Sequence, residues 1–240
     1  MIFPRERIIF ALDVSDRVSA LEWVDRLSGH VGLFKVGLEL FVSEGPSLVE
    51  EISARGERVF LDLKFHDIPN TVAGAVRAAA ACGPHIMNLH ALAGSEAMRR
   101  AAEAASDGAA RGGVDRAKLI AVTVLTSHTS DTLGELGIAG SPAEAVQRFA
   151  QLAKDSGIDG VVASPMEAAQ IRAAWPGGLI VTPGVRPAGT SLDDQSRVAT
   201  PSGAVKSGAD YIVVGRPIRN AKDPVSAADA ITAELSEALG

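Results

Sequence analysis

The chain has 240 residues, 47% hydrophobic and 22% charged, a globular balance with ample length for a buried core. A net charge of −6, a single Tyr and two Trp, and no Lys/Arg cluster with interleaved aromatics argue against nucleic-acid binding. Cys82 is the only cysteine, which excludes an intrachain disulfide and a cysteine-based zinc site.

The opening "MIFPRERIIFALDV" carries charges at Arg5, Glu6 and Arg7 and lacks an apolar signal core. No apolar run approaches the roughly 18 residues that a membrane-spanning helix needs. A soluble, cytoplasmic protein that engages neither membrane nor nucleic acid is expected.

In chain order, apolar and β-branched runs recur: "RIIFALDV", "LFKVGLEL", "RVFLDLKF", "HIMNLHAL", "LIAVTVLTS", "DGVVASP", "LIVTPGV" and "YIVVGRPI". Ala-rich stretches with helical spacing lie between them, among them "SALEWVDRL", "TVAGAVRAAAACG", "AEAVQRFAQLAKDSG" and "MEAAQIRAAW". Gly83, Gly157 and Gly208 follow several of these as left-handed C-terminal caps. Apolar strands alternating with amphipathic helices imply a parallel sheet covered by helices. Eight such units over residues 1–240 fit one (β/α)8 TIM barrel, of class α/β, as a single domain. A doubly wound open sheet fits less well, because no strand is followed by GxGxxG. Two connections exceed the usual few residues, Ser127–Ser141 after strand five and Arg186–Gly203 after strand seven.

Barrel strands fill their interior with Val, Ile and Leu, so charge at their C-terminal ends calls for a reason. Strand one ends in Asp13, strand two carries Lys35, and strand three supplies Asp62 and Lys64, two residues apart and so on one face. Asp67 follows just beyond. Strand four ends with Asn88 and His90, strand five with Thr126 and Ser127, and strand eight with Gly215 and Arg216. A lone Asp–Lys pair reads as a rim ion pair. Two acids and two lysines at three strand ends read as a site, since burying them idle would cost desolvation that Leu or Val avoids.

Lys64 has no setting for a Schiff base, because flanking Asp62 and Asp67 favour its ammonium form. That suits a proton donor or an electrostatic anchor. Metal binding by Asp62 and Asp67 is the competing use of two carboxylates, and a lysine fixed between them opposes it. Arg216 beside Gly215, with Arg186 in the loop after strand seven, points to a phosphate, because the loops after strands seven and eight are the usual phosphate seat of a barrel. His66 is expected to face away from Lys64 by strand alternation, and His90 to support the site. His30, His85 and His128 read as surface or loop residues, Cys82 as a small buried residue, and the face Ala73–Ala81 as helix packing, with a dimer contact as its alternative setting.

With these residues in hand, "ALD", "FKVGLELF", "FLDLKFHDIPNT", "VTVLTS", "TPGVRPAG…DDQSRVATP" and "IVVGRPI" together resemble the orotidine 5′-phosphate decarboxylase family, in its order, from about Asp13 to about Pro224. "DLKFHDIPNT" is the most specific of them. The resemblance implies a carboxy-lyase that converts orotidine 5′-monophosphate to UMP and carbon dioxide in de novo pyrimidine biosynthesis, with no metal and no organic cofactor. It implies that Lys64 protonates C6, that Asp62 faces the substrate carboxylate, and that Lys35, Asp62, Lys64 and Asp67 form an alternating charge array. It further implies a homodimer in which Asp67 and Thr71 reach into the neighbour's site. Asp13 and Lys35 would contact the ribose, Thr126 and Ser127 the pyrimidine edge, and Arg186, Gln195, Gly215 and Arg216 the phosphate, with Gln195 on a closing loop. Two alternatives are a magnesium-dependent sugar-phosphate decarboxylase or aldolase of the same superfamily, and a non-catalytic nucleotide-binding barrel.

Overall fold

The computed structural model of the chain describes residues 2–187 and 199–240. Its strands are β1 (Ile8–Ala11), β2 (Leu33–Gly37), β3 (Val59–Phe65), β4 (Ile86–His90), β5 (Lys118–Val122), β6 (Gly160–Val162), β7 (Leu179–Thr182) and β8 (Tyr211–Val214). They close into a barrel in sequence order, every neighbour parallel, with β1 paired both to β2 (Ile9↔Leu33) and to β8 (Ile9↔Val213). The expected (β/α)8 barrel is what forms.

The first half of the outer layer contains α1 (Arg17–Leu27), α2 (Leu38–Glu44), α3 (Pro46–Ala54), α4 (Pro69–Ala80) and α5 (Gly94–Gly112). The second half contains α6 (Ser130–Glu135), α7 (Pro142–Asp155), α8 (Pro165–Ala174), α9 (Pro201–Lys206), α10 (Arg216–Arg219) and α11 (Pro224–Leu239). Several begin on a side-chain cap followed by Pro: Ser141 accepts from Glu144 N–H, Ser164 from Met166 N–H, and Thr200 from Gly203 N–H. Such starts are stable because Pro lacks only an N–H that the first turn leaves unpaired in any case. Gly83, Gly157 and Gly208 all adopt positive φ after a helix, as their caps require. Of the Ala73–Ala81 stretch, Ala73, Val76, Ala79 and Ala80 are buried within the chain, and the helix packs closely on α5, where a Cβ at Gly108 would stand 2.2 Å from the Arg77 carbonyl oxygen.

The pleat divides each strand between two cores. Ile9, Leu33, Phe60, Ile86, Ile120, Val181 and Tyr211 meet inside the barrel, while neighbours such as Ile8, Phe10, Phe34, Leu61, Met87 and Ile180 pack outward under the helices. Two residues further along each strand, the next inward layer toward the C-terminal mouth follows. It takes Ala11 from β1, Lys35 from β2, Asp62 from β3, Asn88 from β4, Val122 from β5 and Val213 from β8. The barrel thus places Lys35, Asp62 and Asn88 at one level, with Asp13 and Lys64 following β1 and Asp62 toward the mouth.

Three boundaries differ from the sequence reading. "GLEL" turns helical at Leu38, with Gly37 as the N-cap. "GRPI" likewise becomes α10. Strand five stops at Val122; the next residue, Thr123, still donates to the Val162 carbonyl through its N–H at 3.2 Å and its hydroxyl at 2.9 Å. Thr126 and Ser127 therefore sit in the connection after β5 rather than on the strand.

Candidate active site

Asp62 is the centre of the charged ring and is 8% exposed. Its Oδ1 accepts from the Lys64 ammonium at 2.6 Å and from the Asn88 side-chain amide at 2.7 Å. Its Oδ2 lies 3.6 Å from Lys35 Nζ, which also donates to Asp13 Oδ1 at 3.2 Å. Burial alone would raise the Asp62 pKa. The charges of Lys35 and Lys64, with the hydrogen bonds from Lys64 and Asn88, outweigh it and hold the carboxyl below its ordinary value. Asp13, Lys35, Asp62 and Lys64 thus form one chain of alternating charge across β1, β2 and β3.

Lys64 reaches this position by a local departure from the pleat. It is the one non-glycine residue with positive φ among the described residues, at 51°. In the β3–β4 ladder, Leu61 pairs with Met87 but Phe65 with Leu89, so four steps on β3 answer two on β4. This bulge leaves the Lys64 N–H without a strand partner, and Asn88 Oδ1 accepts it at 2.8 Å. A left-handed non-glycine residue costs about 1–2 kcal/mol, so the surrounding contacts must hold it there. The expected shared face of Asp62 and Lys64 exists, but the bulge rather than plain alternation produces it. For the same reason His66 does not simply point to the opposite face: β3 ends at Phe65, His66 is exposed, and its ring lies 5.6 Å from that of His90.

A cavity of about 180 Å³ opens beside the ring. Lys35, Asp62, Lys64 and Thr126 supply its polar lining, and Val122, Val124, Leu125, Val162, Ala163, Pro183 and Val213 much of the rest. It is a largely apolar slot with convergent charge at one side, which is the form of a small-molecule site. Its apolar wall was missed in the sequence, because Val and Pro at strand ends carry no chemical signal there. Ser127 is exposed and does not line the cavity.

Around this slot the remaining expected residues fall into two groups. Arg186 is 7% exposed; its Nη1 donates to the Val185 carbonyl at 3.0 Å, and its backbone N–H to that of Ala199 at 2.9 Å. Gly215 is where β8 passes β1 closely, since a Cβ there would stand 3.3 Å from that of Ala11 and 3.5 Å from Asp13 Oδ2. Arg216 opens α10 immediately after. Gln195 lies outside the described residues, as does most of the long connection that holds it. The second group lies at the surface. Asp67 and Thr71 are exposed, and Asp67 Oδ1 accepts from the Ile68 N–H at 2.6 Å with no ion pair to either lysine of the ring.

His90 borders the site from β4. Burial, then the nearby charges of His66 and Lys64, push its pKa down to about 4. Cys82 is buried, and that burial pushes its thiol up, in keeping with a packing role. Among the described residues no group of three or more His, Cys, Asp or Glu side chains is arranged to hold a metal ion. Nor, among them, is any helix long and apolar enough to cross a membrane.

A closed parallel barrel with a charged pocket at the C-terminal strand ends defines an α/β-barrel enzyme. The model of the orotidine 5′-phosphate decarboxylase / HUMPS family matches residues 6–231, and the chain belongs to that family. It is 54% identical over 232 residues to the orotidine 5′-phosphate decarboxylase of Geobacter sulfurreducens, covering 96% of each chain. It is 53% identical over 232 residues to the enzyme of the same name from Trichlorobacter lovleyi, covering 96% of this chain and 95% of that one. The crystal structure of orotidine 5′-phosphate decarboxylase from Lactobacillus acidophilus superposes with a TM-score of 0.83 at 38% identity, covering 95% of this chain and 98% of that one.

Proposed function

We propose that the chain decarboxylates orotidine 5′-monophosphate to UMP, with the Lys64 ammonium as the proton donor to C6. The C6–carboxylate bond breaks, carbon dioxide leaves, and the electron pair stays in an in-plane orbital at C6 that the ring π system delocalises poorly. A cation held at that carbon stabilises the developing charge and then gives up its proton. Asp62 orients the ammonium and opposes the departing carboxylate. Lys35 and Asp13 take the ribose side, Thr126 the pyrimidine edge, and Arg186, Gln195, Gly215 and Arg216 the phosphate. Binding energy from the phosphate, remote from the breaking bond, positions the base.

The observation that carries this reading is the 2.6 Å contact between the Lys64 ammonium and buried Asp62 at the edge of an otherwise apolar slot. Exposed Asp67 and Thr71, with Ile68 67% exposed between them, suit a surface that meets a second copy and completes its site. We read residues 1–240 as one barrel domain of a cytoplasmic homodimer.

The test is an ultraviolet assay of purified protein with orotidylate in the presence of a chelator. Turnover to UMP is expected. Turnover that needs magnesium, or tight UMP binding without turnover, would overturn the reading in favour of a sugar-phosphate enzyme or a binding protein respectively.

A further inference from the structure

We propose that Asn88 is a positioning residue for the reaction: its side-chain amide holds Lys64 in the left-handed conformation that keeps the ammonium against Asp62. The inference rests on the reading of Lys64 as the proton donor.

Three observations meet at this side chain. Asn88 is fully buried. Its two polar atoms serve opposite purposes, Oδ1 accepting from the Lys64 backbone N–H at 2.8 Å and Nδ2 donating to Asp62 Oδ1 at 2.7 Å. The bulge between Leu61 and Phe65 has removed the ladder partner that would otherwise take the Lys64 N–H. A buried N–H left unpaired is costly, so the left-handed turn persists only while something accepts it. Asn88's own backbone is committed to the regular β4–β5 register, opposite Ile120, so the clip sits on a rigid element.

Only a side chain with an acceptor and a donor at this reach meets both demands. Asp offers two acceptors and would set a second carboxylate against Asp62. Gln has the chemistry but one more methylene. Leu fills comparable volume and offers neither bond. Since Asn88 does not line the cavity, it acts on substrate only through Lys64 and Asp62.

The experiment compares Asn88→Leu with the parent enzyme by kcat, KM and melting temperature, and determines the variant's crystal structure. A misplaced donor is expected to lower kcat by about 100-fold, with KM unchanged within about threefold. Lys64 φ is expected to return to negative values. A residue that merely supports the fold would lower the melting temperature and leave kcat per folded enzyme within about threefold of the parent, which would overturn the proposal. So would Lys64 retaining its left-handed φ with the hydrogen bond gone. Should Asn88→Leu fail to fold, Asn88→Ala, which removes both hydrogen bonds and adds no bulk, is read by the same criteria. Lys64→Ala run in parallel separates the two failures. An active Lys64→Ala protein sinks the reading of the donor, whereas an inactive one beside a fully active Asn88 variant sinks only the role of Asn88.

Discussion

Replacing Asp62 with Asn tests the charge array with little change of shape. Asp62 is the anion between two ammonium groups, 2.6 Å from Lys64 and 3.6 Å from Lys35. The amide oxygen of the substituted side chain can still accept from Lys64, but its NH2 faces Lys35 and the net charge of the cluster rises by one. Breaking a fully buried ion pair costs about 3–5 kcal/mol. Here the Lys64 side chain is 30% exposed and Lys35 retains Asp13, so solvent and the remaining pair reduce the cost to about 2–3 kcal/mol. At about 2–4 °C per kcal/mol for a chain of this size, the melting temperature should fall by about 4–12 °C. Because folding depresses the Asp62 pKa, its stabilisation is present above its unfolded value near 4 and is lost as pH falls through the folded value. The gap between parent and variant should therefore be constant from about pH 8 to pH 5 and close below about pH 4. Turnover should fall by about 100-fold or more as the donor loses its anchor. Thermal unfolding across pH, with the ultraviolet assay at neutral pH, reads both effects. A variant as stable and as active as the parent would refute the reasoning.

Three further outcomes are expected. Arg216→Ala should raise KM by at least about tenfold with a smaller change in kcat if the guanidinium grips the phosphate, and an unchanged KM would remove it from that role. His90, held neutral down to about pH 4, contributes stability that is full above about pH 6.5 and erodes between there and pH 4; denaturant midpoints of His90→Gln should lose that slope, and an unaltered slope would assign it elsewhere. Mixing inactive Lys64→Ala and Asp67→Ala chains should restore activity through mixed dimers with one intact site, and no recovery after verified subunit exchange would count against a site shared between subunits.

Much of this architecture was legible because strand and helix periods differ so clearly along the chain. Each of the eight apolar runs contains a strand, and the inward register set by Ile9, Leu33, Phe60 and Ile86 carries Lys35, Asp62 and Asn88 to one level. What was not legible depends on contacts between distant segments. "TVLTS" reads as strand from its β-branched residues, yet the strand ends at Val122, and Thr123 directs both its N–H and its hydroxyl to the one Val162 carbonyl on β6. The bulge at Lys64 is invisible to an alternation rule, since it is stabilised by Asn88, 24 residues further along. Asn88 itself looked like an ordinary polar strand end until both of its partners were in view. The acids and lysines were found because charge inside a barrel is costly, while the apolar wall of the slot has the same composition as any core.

The most direct test of the central claim is the fate of C6 in the absence of the ammonium. Single-turnover decarboxylation by Lys64→Ala should be slower than that of the parent by many orders of magnitude, while UMP binding, measured separately, persists. Turnover by that variant at a rate near the parent's, with UMP as product, would contradict the account.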